Sequence, residues 1–97
     1  MLERDYQKGL IKRLKEIFPG CIIMKNDAQL KQGIPDLLVL YSNKWVALEV
    51  KKSEKDSHEE RGNQRRYVTR MNEMSFASYI YPENEEEVIA KMKEVFA

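Results

Sequence analysis

The run Gly33-Ile34-Pro35-Asp36, followed two extended segments later by Glu49-Val50-Lys51, is the feature that most constrains this chain. Successive side chains of a strand point to opposite faces. Across 45–51, Glu49 and Lys51 therefore share a face with Trp45 and Ala47, while Val46, Leu48 and Val50 take the other. Upstream, Asp36 opens a second extended run, Leu37-Leu38-Val39-Leu40. Only Ser42-Asn43 separates Tyr41 from Lys44, the length of a tight hairpin turn. If Tyr41 pairs with Lys44, stepping back along both strands brings Asp36 opposite Glu49. Directly opposed residues have Cβ atoms roughly 4.5 to 5.5 Å apart, and two carboxylates that close repel unless a cation lies between them. The pair reads as a divalent-metal site.

Each half of the pattern has an ordinary explanation taken alone. Pro-Asp is common turn chemistry, and Glu-x-Lys on a strand is usually a solvated ion pair of little energetic value. Together they differ, because Leu38, Leu40, Trp45 and Ala47 make the same face apolar. Charges at the end of such a face are costly to desolvate and need a partner.

With 97 residues the chain is expected to be a single domain, 1–97, with one modest core. The lone cysteine, Cys21, excludes an intrachain disulfide framework, suits a reducing compartment and reads as a buried strand residue. No apolar run approaches the length of a membrane span, and Met1-Leu2-Glu3-Arg4-Asp5 lacks the form of a signal peptide. The expectation is a soluble protein of the cytoplasm, with no membrane partner. Net charge is +1, but residues 82–97 hold five acids and two bases, a local −3 that leaves +4 on the remainder. A modestly basic body can engage phosphates locally without a high pI.

A first helix is expected over 2–18, with Leu2, Tyr6, Leu10, Leu14 and Ile17 on its inward stripe and Pro19-Gly20 at its end. Glu3 lies on that stripe, within roughly 20° of Leu10. It reads either as a cap at the helix start or as a further acid reaching the metal. A strand follows over 21–25, then a polar loop over 26–33 and the hairpin. The polar segment 52–60 reads as a mobile connection, with the only histidine, His58, solvated within it. A helix over 60–74 turns Tyr67, Val68 and Met71 inward and puts Gln64 on the same face, where it could satisfy buried backbone groups or orient a water or phosphate. On its outer side, Arg61 with Arg65 and Arg66 with Arg70 form pairs at i, i+4 spacing. The arginine fork matches phosphate. A strand over 76–81 and a helix over 85–96, capped by Asn84, complete the chain. The order α-β-β-β-α-β-α implies an α/β fold, a small mixed sheet flanked by helices on both faces.

These residues resemble the VRR-NUC branch of the PD-(D/E)xK nuclease superfamily, in its compact stand-alone viral form, over nearly the whole chain. The resemblance rests on the element order, Gly33-Ile34-Pro35-Asp36, Glu49-Val50-Lys51, Lys25-Asn26 ahead of them, Glu3 and Gln64. It implies a restriction-endonuclease-like fold in which Asp36, Glu49 and the Val50 carbonyl hold the metal. Lys51 would position or deprotonate the attacking water, Glu3 would be the acid of the first helix, and Gln64 the helix glutamine near the site. Lys25, Asn26, Lys31, Arg61, Arg65, Arg66 and Arg70 are the expected DNA contacts.

Hydrolysis of a phosphodiester requires charge neutralisation on the phosphoryl group and a nucleophile at neutral pH. Oxygen-ligated Mg²⁺ or Mn²⁺ supplies both. Stand-alone members of this branch resemble resolvases of four-way DNA junctions, which need paired incisions and so, most simply, a C2 homodimer. The expected activity is a structure-specific endodeoxyribonuclease on branched DNA, with no small-molecule cofactor. Flap, fork or restriction-like cutting are alternatives within the enzyme class, and an inactive DNA-binding accessory module is the alternative outside it.

Overall fold

The computed structural model describes residues 1–27, 32–59 and 62–97, so Lys31 and Arg61 lie outside the described residues. Tyr6, Leu10 and Leu14 recur at helical spacing and form the buried line of α1 (Glu3–Ile17). Leu2, expected on that line, is instead 54% exposed and contributes its carbonyl, which accepts the backbone N–H groups of Asp5 and Tyr6. After the Pro19-Gly20 stop, β1 (Ile22–Lys25) begins one residue later than expected, because the Cys21 N–H still bonds back to the Phe18 carbonyl.

β2 (Leu37–Tyr41) and β3 (Lys44–Val50) form the expected hairpin, with Tyr41 opposite Lys44 and Leu37 opposite Leu48. Ser42 takes a positive φ of 58° at the first turn position, as a two-residue hairpin loop demands. β1 lies antiparallel on the outer side of β2, and β4 (Phe76–Ile80) lies parallel to β3, giving a four-stranded mixed sheet in the order β1-β2-β3-β4. Two-residue alternation then divides the sheet into two faces. Leu37, Val39, Val46, Leu48, Val50 and Ile80 pack against α1 and α4 (Glu85–Phe96), the latter through Val88, Ile89, Met92 and Phe96. Leu38, Trp45, Ala47, Ala77 and Tyr79 face α3 (Asn63–Met74) through Val68 and Met71. On that second face, Ile22 and Met24 of the edge strand are 60% and 49% exposed.

Two expectations need correction. The segment after Lys51 is not wholly a loose connection: it contains a further helix, α2 (Glu54–Glu59), so the order is α-β-β-β-α-α-β-α. Its charges hid a cap. The Ser53 hydroxyl accepts the Asp56 backbone N–H at 3.2 Å, and the buried Ser57 donates to the Glu54 carbonyl at 2.7 Å. The second correction concerns Asn84. It occupies the first position before α4 but makes no side-chain cap; its Oδ1 accepts the Tyr81 N–H and its Nδ2 donates to the Tyr79 carbonyl, which fastens the turn out of β4.

The first turn of α4 is tied to α1. Tyr6 Oη donates to Glu85 Oε1 at 2.6 Å, Arg13 bonds the other Glu85 oxygen, and Arg13 also reaches Glu86 at 2.7 Å. Burial first, then the Glu85 carboxylate, push the Tyr6 phenol well above its ordinary pKa. Neutral Tyr6 is therefore favoured by folding. Its contribution is fully present below the unfolded value, about pH 10, and is lost as the pH rises beyond it. Replacing Tyr6 with Phe is expected to cost about 1.5 kcal/mol at pH 7. In urea titrations repeated up to pH 11, the gap between the two proteins should narrow above about pH 10; a gap that holds constant or widens there would contradict the assignment.

Candidate metal and nucleic-acid site

The hairpin register brings Asp36 to the end of β3 that carries Glu49 and Val50. β2 starts at Leu37, one residue after Asp36, and the last registered pair of the hairpin is Leu37 with Leu48, so Asp36 lies just beyond it, at the end of the hairpin where β3 reaches Glu49 and Val50. Three hydrogen bonds fix this approach. Asn26 N–H donates to the Asp36 carbonyl at 2.8 Å, Asn26 Nδ2 donates to the Pro35 carbonyl at 2.7 Å, and Val50 N–H donates to Asp36 Oδ2 at 2.8 Å. The side chain of Asp36 is thus aimed at the backbone of β3. A residue in a strand directs its N–H and C=O to the same lateral side, so the Val50 carbonyl also points towards the Asp36 side.

Glu49 is 5% exposed and its Oε1 is buried. Lys51, on the same face two residues on, brings Nζ to 3.6 Å from Glu49 Oε2, and its own backbone N–H continues the sheet by bonding to Ile80. Two carboxylates and one ammonium therefore lie at this end of the sheet. Carboxylate and carbonyl oxygens are the hard donors that suit Mg²⁺ or Mn²⁺, so the donor set fits such an ion.

Gly33 supplies the room for this end of the sheet to close. It is buried with φ +90°, and a Cβ there would overlap the Asn63 side chain and lie 2.9 Å from the Asn63 carbonyl carbon. The first turn of α3 therefore rests directly on the loop that delivers Asp36. Gln64, next in that turn, is half-buried and lies one turn before the inward Val68, on the sheet side of the helix.

Other expected site residues are distributed differently. Glu3 is half-buried at the start of α1, at the same end of the sheet but in the layer on its other side. Among the described residues, no three acidic, histidine or cysteine side chains come close enough to share one ion, so Glu3 is not gathered with Asp36 and Glu49. Arg65 is directed differently from the outward role expected. It donates to the Ser57 carbonyl at 2.9 Å and lies 5.1 Å over the Tyr79 ring, tying α2 and β4 to α3. Arg66, Arg70 and Lys25 are exposed. Asn26 shapes the Pro35-Asp36 turn. His58, 69% exposed at its side chain, stands 4.0 Å from Glu54 as the solvated residue expected. Burial raises the Cys21 thiol pKa, consistent with an inert sulfur.

Tyr79 is the residue that sequence reasoning did not single out. It sits beside Glu49 in the parallel β3–β4 register, on the same face, with its hydroxyl buried. Alternation within 76–80 gives its face, but its register against β3 depends on a pairing across 30 residues that no local pattern specifies. Beyond it opens a cavity of ≈ 330 Å³ lined in part by Arg65, Thr69 and Ser78.

No family model, curated protein or solved structure matches the chain.

Gly33→Ala is expected to lower stability by about 2 kcal/mol, through positive-φ strain and displacement of Asn63. Urea unfolding followed by circular dichroism measures it, and an alanine protein as stable as the parent would show that neither the backbone nor α3 constrains this position.

Proposed function

We propose that this chain is a metal-dependent endodeoxyribonuclease that hydrolyses phosphodiester bonds in branched DNA, four-way junctions first among them, as a homodimer. The observation that carries the proposal is that Asp36, Glu49 and Lys51 lie at one end of the β2–β3 hairpin, with Asp36 held by the Val50 N–H and Lys51 Nζ 3.6 Å from Glu49. The resemblance to the VRR-NUC branch gives the same three residues the same parts.

Asp36, Glu49 and the Val50 carbonyl would hold Mg²⁺ or Mn²⁺. When bound, such an ion neutralises charge on the phosphoryl group and makes a hydroxide-like nucleophile accessible at neutral pH. The protein's own contribution is preorganisation. The Val50 N–H orients one carboxylate, burial between strand and helix restrains the other, and neither has to be ordered when substrate arrives. Lys51 places an amine beside the acids, where it can hold a water or exchange its proton. Gln64, in the first turn of α3, is positioned to orient a water or a phosphate oxygen, and Arg66 and Arg70 offer forks for flanking phosphates. Paired incision across a junction asks for two such sites, which a two-fold dimer provides.

Lys51→Ala is expected to slow cleavage of a labelled junction in Mg²⁺ by roughly 10²–10⁴-fold while leaving junction affinity nearly intact; equal loss of both would count against a part in the chemistry. Asp36→Asn should remove the heat of Mn²⁺ binding in calorimetry and the Mn²⁺-dependent rise in Tm. Unchanged Mn²⁺ binding would contradict the ligand assignment. A panel of linear duplex, flap, fork and four-way junction, with sedimentation of the same sample, tests substrate and subunit number. A monomer that cuts every substrate equally would reject the junction-resolving part.

A further inference from the structure

Arg4, Lys8 and Lys15 lie within roughly 40° of one another around α1, with Lys12 beside them, on the side turned away from the Tyr6-Leu10-Leu14 line. They form a row roughly 16 Å long at the helical rise. Among the described residues, Lys8, Lys12, Lys15 and Lys25 form no ion pair, and Arg4 meets only Asp5, at 4.0 Å with both side chains largely exposed. Such an exposed contact offsets little of the arginine charge.

Between this row and the edge strand runs a cleft of ≈ 370 Å³, walled by Arg4, Asp5, Gln7, Lys8 and Ile11 on α1 and by Lys25 at the end of β1, so that three cations and one carboxylate line it. Lys25 pairs with Leu37, so its side chain is on the α1 face of the sheet. The next residue, Asn26, holds Asp36 on the opposite face through its backbone N–H. The cleft and the acidic centre are therefore neighbours across a single edge strand, one on each side of it.

A site for one small anion gathers its cations around a point. These are strung along a helix, which suits a polyanion whose charges recur along its length. We propose that the α1–β1 cleft is a second DNA-backbone site, in which Arg4, Lys8 and Lys25 take consecutive phosphates of the strand that leaves the Asp36–Glu49 centre around the edge of the sheet. It rests on the reading that DNA is the substrate, and it assigns to the layer opposite the acids a share of substrate binding. A substrate that turns at the centre, as a strand does at a branch point, can follow both surfaces.

The test is fluorescence anisotropy of a labelled four-way junction in EDTA, titrated with the whole protein from 50 to 200 mM NaCl. For Arg4→Gln/Lys8→Gln/Lys25→Gln, the slope of log affinity against log salt should become shallower by about 2.7, at 0.9 for each phosphate contact on duplex arms. Affinity at 150 mM NaCl should fall at least tenfold. Lys8→Gln alone should change the slope by about 0.9, which keeps the proposal testable if the triple protein folds poorly. Lys91→Gln/Lys93→Gln, which removes two charges from α4, should leave the slope as it was. The proposal is overturned by an unchanged slope in the triple protein, by an equal per-charge effect of the α4 control, or by a parent protein that binds no junction. Mn²⁺-dependent cleavage, measured separately on the parent, keeps the two readings apart. A slope change without cleavage would sink the hydrolase and retain the cleft; cleavage with no slope change would do the reverse.

Discussion

Everything at the candidate site depends on the register of one hairpin. The turn at Ser42-Asn43 sets Tyr41 against Lys44, and each later pair follows until Leu37 meets Leu48. A slip of one residue would exchange the two faces of β3. Val46, Leu48 and Val50, all fully buried against α1 and α4, would be turned towards α3, and Glu49 would enter the main core. Hydrophobic burial on one face thus fixes the position of charge on the other. The Asp36 contact to the Val50 N–H is a consequence of that register and also closes it at its open end.

The two layers divide the work unequally. The α1–α4 side carries the large side chains, among them Leu14, Leu37, Leu48, Ile80 and Met92, and the edge-packed rings of Phe18, Tyr41 and Phe96. Among the described residues, the buried apolar side chains of the α3 side are the small Ala47, Val68 and Ala77. Small residues there let the helix come close to the sheet, and Gly33 lets its first turn touch the loop before Asp36. A thin layer gives up stabilising area, but it leaves polar side chains at the sheet's end near the surface and restrained from both sides. The larger apolar core lies on one face and the Glu49–Lys51 pair on the other.

What the sequence revealed was whatever depends on short-range periodicity. The stripe of α1, the alternation of β2 and β3, the hairpin register and α4 all follow from residues within a few positions of one another, and with them the nearness of Glu49 and Lys51. What it concealed depends on competition between local options or on distant pairing. Ser53 and Asp56 form a cap, yet the surrounding charge density suggested solvation, and the capping bond prevailed over composition. Asn84 had two possible uses, and the turn from β4 claimed both ends of its amide. Arg65 had a phosphate as its expected partner, but the Ser57 carbonyl and the Tyr79 ring come within reach only after α2, α3 and β4 have assembled.

The near-neutral total charge conceals a polarity created by folding. The −3 of residues 82–97 is not simply a solvated acidic tail, because Glu85 and Glu86 are both engaged by Arg13, and Glu85 also by Tyr6. That network lies between α1 and α4, on the flank of α1 turned towards α4. The opposite flank keeps Arg4, Lys8 and Lys15, which among the described residues meet only the exposed Asp5, and Arg4 and Lys8 line a cleft with Lys25 of the edge strand. A field of one sign over a short distance steers a polyanion even when the whole molecule carries almost no net charge. The same edge strand then presents Asn26, and through it Asp36, immediately beyond that positive strip. Cations therefore border an acidic centre that would by itself repel a phosphate backbone, the arrangement that the proposed nuclease reading requires for such a centre to approach one.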